Sequence, residues 1–455
     1  MPSDSPAANA QSAFSGLLRP RAPEAGWAAP SPSRHAREEA RAGLYVHVPF
    51  CAVRCTYCDF SSGSLSAAAV ERYLEAMARE AGLRAPSVGH LRFTSVFFGG
   101  GTPSALSARH FRRLWATLNR HFTLEPAAEV TLEANPESVR PALLEAWAEA
   151  GVNRLSMGAQ SFDPRELEML GRIHSAARPA EAVALARAHG FRRLSLDLMF
   201  GFPGHDPELW RATIEAALEL DPGHLSAYCY IPEPGTPLGD AVGRGEQRLP
   251  EPEVQADMYD VLALHLGAVG YRCYETSNFC RPNEEARHNL VYWLRRPYLG
   301  LGPSAHGLWG EERYGNFYAM ARWAGALEAR VPPESEREVE SERSLAQEIV
   351  MLGLRLADGL DPADHSERIW LMVERRYRRA FERAQASGRL ERTERGGVRI
   401  PPRFRFVADD VVARVEADAE SGASAGGPGL DLDHDPVQRK GATQRLTLVR
   451  RASYL

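Results

Sequence analysis

The sequence predicts an α/β protein: a full or partial (β/α) barrel joined to a small α+β domain of winged-helix-like shape. Three observations predict it. Six β-rich runs alternate with helical stretches between residues 42 and 234. The chemically unusual residues fall near the C-terminal ends of those runs, where a barrel gathers its ligand-binding groups. The chain, at 455 residues, exceeds the usual size of one domain.

The runs are LYVHVPF (44–50), SVFFGGG (95–101), EVTLEANP (129–136), RLSMGAQS (154–161), RLSLDLMFGFPG (193–204) and HLSAYCYIPEP (224–234). Between them, Val70 to Arg84, Ala108 to His121, Val139 to Ala150 and Pro207 to Leu220 repeat apolar residues at helical spacing. Repeated β–α units imply a parallel sheet. The glycines after the second run read GGGT rather than GxGxxG, which favours a barrel over a dinucleotide-binding sheet. The expected division is a loose N-terminal segment (1–41), a barrel core (42–240), a region completing the barrel (241–335), a C-terminal domain (336–417) and a loose tail (418–455). In the C-terminal domain two helices, a short β pair near Arg389 to Ile400 and a last helix are expected.

Composition narrows the function classes. Apolar residues make up 44% and charged residues 25%, the balance of a globular protein, and no run is long and apolar enough for a membrane span. The net charge of −5 and the lack of a concentrated basic stretch argue against a nucleic-acid partner. The first 41 residues lack a secretory apolar core, so a cytoplasmic setting is expected. Lys440 is the only lysine and lies in the tail, which removes Schiff-base and Walker-type phosphate chemistry.

Three of the six cysteines are bunched in YVHVPFCAVRCTYCDF, at Cys51, Cys55 and Cys58. In a reducing compartment such a bunch points to metal or redox chemistry. The CxxxCxxC loop supplies three thiolates, which would leave one iron of a [4Fe-4S] cluster without a protein ligand. Two other readings stay open on spacing alone: inert thiols, and a zinc site with His47 as an awkward fourth ligand from inside a β run. Cys229, Cys273 and Cys280 read as unpaired, apolar-like thiols.

The cysteine loop is followed in order by FFGGGTPS, TLEANPE, RLSMGAQSF, LGRIHS and DLMFGFPG. This series resembles the radical S-adenosylmethionine (SAM) family over roughly residues 43 to 405, in the branch holding oxygen-independent coproporphyrinogen III oxidase and heme chaperones. The resemblance implies that Cys51, Cys55 and Cys58 bind a [4Fe-4S] cluster whose fourth iron is chelated by the amino and carboxylate groups of SAM. It implies SAM contacts from Tyr45, from Tyr57 near the adenine, and from the turn Gly100, Gly101 and Thr102. Glu133, Gln160, Arg172 and Asp197 match further polar SAM contacts. Read without the resemblance, these four are polar groups satisfied at a barrel mouth.

Within the branch, the oxidase carries Gly and then a further Cys after the third cysteine; here Asp59 and Phe60 stand there, the chaperone-like form. HNLVYW (288–293) resembles the HNxxYW motif of the heme chaperones. That likeness implies His288 as heme-iron ligand flanked by Tyr292 and Trp293, whereas an isolated histidine beside two aromatics reads more often as structural. Arg295 and Arg296 read either as partners of heme propionates or as surface charges, and His306 as a weaker ligand candidate. The implied function is heme binding and transfer to an acceptor protein, with SAM-dependent oxidative decarboxylation of coproporphyrinogen III as the alternative; whether the chain is an enzyme turns on that choice. A monomer or dimer is expected, with a peripheral membrane contact through Arg439, Lys440, Arg450 and Arg451 as a further possibility.

Overall fold

The structure, a computed structural model, describes residues 41–423. Strand β1 (Arg41–Val48) leads into a small parallel pair, β2 (Phe50–Cys51) and β3 (Gly63–Ser64), which brackets the cysteine loop. Next come β4 (Arg92–Gly100), β5 (Thr123–Ala134), β6 (Arg154–Gln160), β7 (Arg193–Phe200) and β8 (His224–Cys229). The sheet is completed by β9 (Arg272–Glu275), β10 (Asn278–Cys280), β11 (Tyr298–Leu301), β12 (His306–Trp309), β13 (Glu312–Asn316) and β14 (Glu334–Val339).

The spatial order is β14-β13-β12-β11-β1-β4-β5-β6-β7-β8-β10-β9. From β11 through β8 every neighbour is parallel, while both flanks are antiparallel. The architecture is thus the partial form of the expected barrel. The six runs become β1 and β4 to β8; the parallel seat of β11 beside β1 was not read from sequence. A Cβ on Gly99 of β4 would meet both Tyr45 of β1 and Glu133 of β5, and Ser156 of β6 donates to Asp197 of β7, so these side chains line one face of the sheet, the lumen.

Alternation explains that lumen. Leu44, Val46, Val96, Phe98, Leu132, Leu155, Leu196 and Leu198 point outward into the core beneath the helices. Ser95, Ser156 and Ser195 are buried on three of the same strands, and Ser226 on β8. The helices begin at side-chain caps: Ser66 for Ala67–Val88, Ser107 for Ala108–His121 and Asp206, followed by Pro207, for Pro207–Glu219. Helix Ala67–Val88 also carries a buried ionic cluster. Glu80 accepts from Arg84, Asn316, Trp323 and the Gly302 amide, and Tyr73 donates to the His47 carbonyl at 2.9 Å. This fixes the C-terminal end of β1, the strand that delivers the cysteine loop.

Helices Glu342–Gly353, Glu367–Ala386 and Ala408–Ala423, with a two-residue hairpin (Glu391–Arg392 against Val398–Arg399), surround a second core. Arg355 bridges to the sheet: it pairs with Asp409 at 3.0 Å, reaches Glu275 of β9 at 3.9 Å and lies over the Trp293 ring at 4.8 Å. The exposed face of helix Glu367–Ala386 carries Arg375, Arg378 and Arg379, more local positive charge than the whole-chain balance implied. The loose segments expected at 1–41 and 418–455 lie outside the described residues, except that β1 begins at Arg41 and the last helix runs past 417 to Ala423.

Candidate functional site: a three-cysteine loop at the barrel mouth

The cysteine loop is anchored from below. Thr56 donates through its amide to Leu170 O at 3.2 Å and through its hydroxyl to Met169 O at 2.8 Å, and accepts the Leu238 amide at 2.9 Å. Tyr57 packs with Leu170, Met199, Phe202, Tyr230 and Leu238, and burial raises the pKa of its hydroxyl. All three thiols keep partial solvent access, and Cys58 feels the charges of both Cys55 and Cys51.

A chain of polar contacts encircles two of them. The Thr102 hydroxyl donates to Cys51 Sγ at 3.4 Å, and Asn135 Nδ2 donates to Thr102 Oγ1 at 3.4 Å. Arg172 Nη2 donates to Asn135 Oδ1 at 2.8 Å and to Gly158 O at 2.9 Å, while its Nη1 reaches Cys55 Sγ at 3.4 Å. The Nε of Arg172 is buried without a hydrogen-bond partner among the described residues. Buried donors are ordinarily satisfied, so this one suits a ligand with an acceptor group. Sequence reasoning missed Asn135; an Asn-Pro pair ending a strand was its only signal.

The glycine turn is a cradle. Gly100 has φ +107°, and a Cβ there would strike the His47 ring at 2.6 Å. A Cβ on Gly101 would lie 2.9 Å from both the amide and the carbonyl oxygen of Phe50. Gln160 holds φ +65° at a register shift in β6, a left-handed conformation that costs a non-glycine residue about 1 kcal/mol or more and is typical of functional sites.

Deeper in the lumen, burial followed by the neighbouring Asp197 pushes the Glu133 pKa up to about 8. Asp197 is likewise raised by burial, and accepts from Ser156 at 3.0 Å. Tyr45 hydrogen-bonds His47 Nδ1 at 3.1 Å, and His47 Nε2 meets the Ser61 carbonyl at 3.0 Å. Because a carbonyl only accepts, Nε2 carries the proton and Nδ1 accepts from the Tyr45 hydroxyl. Both nitrogens of His47 are therefore used, which leaves nothing for a zinc ligand. Among the described residues no three His, Cys, Asp or Glu groups converge on one metal ion. Three partly exposed thiols on one loop fit a multi-iron cluster, whose irons occupy separate corners.

His288 lies elsewhere. It is 0% exposed, on helix Arg287–Trp293. Its Nδ1 meets Ser95 Oγ at 2.8 Å and its Nε2 the Tyr292 hydroxyl at 2.9 Å; burial lowers its pKa to about 3. In this conformation the ring offers no nitrogen to an iron. Arg295 pairs with Glu340 and Glu348, and Arg296 faces Asp364 at 3.7 Å, so structural carboxylates take the place of propionates around both. His306 stands 3.8 Å from Glu336. Cys229, Cys273 and Cys280 form no disulfide among the described residues.

Residues 45–217 match the model of the Radical SAM superfamily. Heme chaperone HemW of Mycobacterium tuberculosis (strain H37Rv) is 39% identical over 321 residues, 70% of this chain and 82% of that protein. Heme chaperone HemW of Bacillus subtilis is 35% identical over 328 residues, 71% of this chain and 86% of that protein. The solved coproporphyrinogen III oxidase (HemN) of Escherichia coli superposes with a TM-score of 0.72 at 22% identity, over 83% of this chain and 90% of that one, a likeness of fold. The chain belongs to the radical SAM superfamily and, within it, to the heme chaperone HemW family.

Proposed function

We propose that this protein is a heme chaperone of the radical SAM type, which holds a [4Fe-4S] cluster and SAM at the barrel mouth, takes up heme as cargo and passes it to an acceptor protein in the cytoplasm. Cys51, Cys55 and Cys58 hold the cluster. Tyr45, Tyr57, Gly100, Gly101, Thr102, Glu133, Gln160, Arg172 and Asp197 hold SAM. When bound, the cluster supplies an iron that SAM can chelate and an electron that can be passed to it. The protein's own part is placement. Arg172 and Thr102 orient two thiols, the glycine turn lets backbone groups approach a zwitterion, and the neutral Glu133 carboxyl can donate as well as accept a hydrogen bond.

The observation that carries the reading is the chain of contacts Cys51–Thr102–Asn135–Arg172–Cys55, which ties two of the three thiols of one loop to the strand ends. Asp59 and Phe60, in place of Gly and Cys, support the chaperone form over the oxidase. Heme does not fit at His288 in this conformation, because both ring nitrogens are bonded and the ring is sealed.

The test is to titrate heme into the anaerobically reconstituted, SAM-loaded protein and, separately, to supply reductant and coproporphyrinogen III. Stoichiometric heme uptake without release of carbon dioxide is expected. Absence of heme uptake, or carbon dioxide released together with protoporphyrinogen IX, contradicts the proposal.

A further inference from the structure

The HNLVYW helix has a contact pattern that iron ligation does not explain. His288 stacks on Phe97 with ring centroids 5.3 Å apart and planes at 23°. The other neighbour of Phe97 is Tyr45, again at 23°, with centroids 6.3 Å apart. Tyr45 in turn bonds His47. The aromatic stack thus runs from the sealed helix to the residue expected to touch SAM. Along it exposure rises, from none at His288 to partial at Phe97 and Tyr45.

The inner end of the stack is immobilised. Ser95 and Tyr292 fix the imidazole from both sides, and the His288 amide donates to Glu129 at 3.1 Å. Glycines leave room for the stack. A Cβ on Gly43 would meet His288 Cε1 at 3.1 Å, and one on Gly99 would meet Phe97 at 2.9 Å, Tyr45 at 3.1 Å and Glu133 at 3.2 Å. A buried imidazole bonded at both nitrogens is held in one orientation, which is what a brace requires.

We infer that His288 is a positioning residue of the cofactor pocket: its locked ring braces Phe97, and through Phe97 sets the place of Tyr45. The HNLVYW helix is then the floor of the SAM pocket. This rests on the placement of SAM at Tyr45 under the proposed function.

The experiment measures SAM dissociation constants by equilibrium dialysis on full-length, anaerobically reconstituted protein, with heme titrated in parallel. H288A is expected to bind SAM about two- to tenfold more weakly, the worth of one aromatic pair. H288F restores a ring face without the hydrogen bonds that lock it and should recover part of the loss. F97L, with His288 intact, should match H288A, and the H288A/F97L double variant should be no weaker than either. Wild-type SAM affinity in folded H288A, or failure of H288F to rescue it, overturns the inference. Should H288A not fold, F97L decides: wild-type affinity there overturns the brace. Lost heme affinity with intact SAM affinity in H288A would make His288 an iron ligand and overturn it as well. Wild-type protein that binds no SAM fails at the earlier step and takes the proposed cofactor site with it.

Discussion

Arg172 Nη1 lies 3.4 Å from Cys55 Sγ across a sequence separation of 117 residues. The same guanidinium also binds Asn135 and the Gly158 carbonyl, so one buried cation ties the cysteine loop to the ends of β5 and β6. R172M would leave those acceptors, of which the Gly158 carbonyl lies on a buried residue, without their donor. It should cost about 2–4 kcal/mol of stability and lower the iron bound per reconstituted chain. R172K keeps the charge but not the fork and should fall between the two. Urea unfolding and iron analysis check both; wild-type iron content in R172M would show that the contact does not support the thiols.

Gly101 faces the Phe50 backbone with no room for a side chain. Since backbone cannot swing aside as a side-chain tip can, G101A should displace β2 and with it Cys51, at a cost of about 1–3 kcal/mol. SAM affinity is expected to fall at least about tenfold, read by equilibrium dialysis, while the far-ultraviolet circular dichroism stays native.

Glu133 gives a pH signature. Its pKa is about 8 in the fold against 4.5 ordinarily, so the folded protein holds this proton more tightly than the unfolded chain between those values. Its contribution is therefore present at low pH and is lost as pH rises from 4.5 through 8. In ligand-free protein, E133Q should gain on the wild type across that interval, by on the order of 2 kcal/mol at the top, reduced by the solvent that reaches the carboxyl. Chemical unfolding at several pH values measures it; parallel curves for the two proteins would refute the shift.

Buried histidines act in the opposite sense. Burial lowers His288 to about 3, and His47 and His205 to about 4, from 6.5. The unfolded chain takes up protons below pH 6.5 that these rings refuse, so stability is full above 6.5 and is lost as pH falls toward 4 and then 3. His205 accepts the Gly201 amide at Nδ1, 3.0 Å away, which a glutamine oxygen can imitate. The melting temperature of H205Q should accordingly fall less steeply between pH 6.5 and 4 than that of the wild type.

The parts of the molecule legible in sequence are those encoded locally. Alternation and helical spacing placed β1 and β4 to β8, and the cysteine spacing placed the loop, because period and ligand pattern are properties of a few consecutive residues. What escaped depends on distant chain meeting. The parallel seat of β11 beside β1 joins residues near 299 to residues near 44, and no local pattern announces it. Asn135 was invisible because its importance comes from Arg172, 37 residues away. His288 was read as a ligand because HNLVYW brings histidine and aromatics together. The motif does not state whether they face a cavity or one another, and the structure seals the ring between Ser95, Phe97 and Tyr292. Arg295 and Arg296, left open between propionates and surface, face carboxylates from the C-terminal region instead.

The most direct test of the account is Mössbauer spectroscopy on anaerobically reconstituted protein, before and after SAM is added. Three thiols at Cys51, Cys55 and Cys58 predict a four-iron cluster in which one iron changes its parameters when SAM arrives. A spectrum without the four-iron cluster, or one that SAM leaves unchanged, would contradict it.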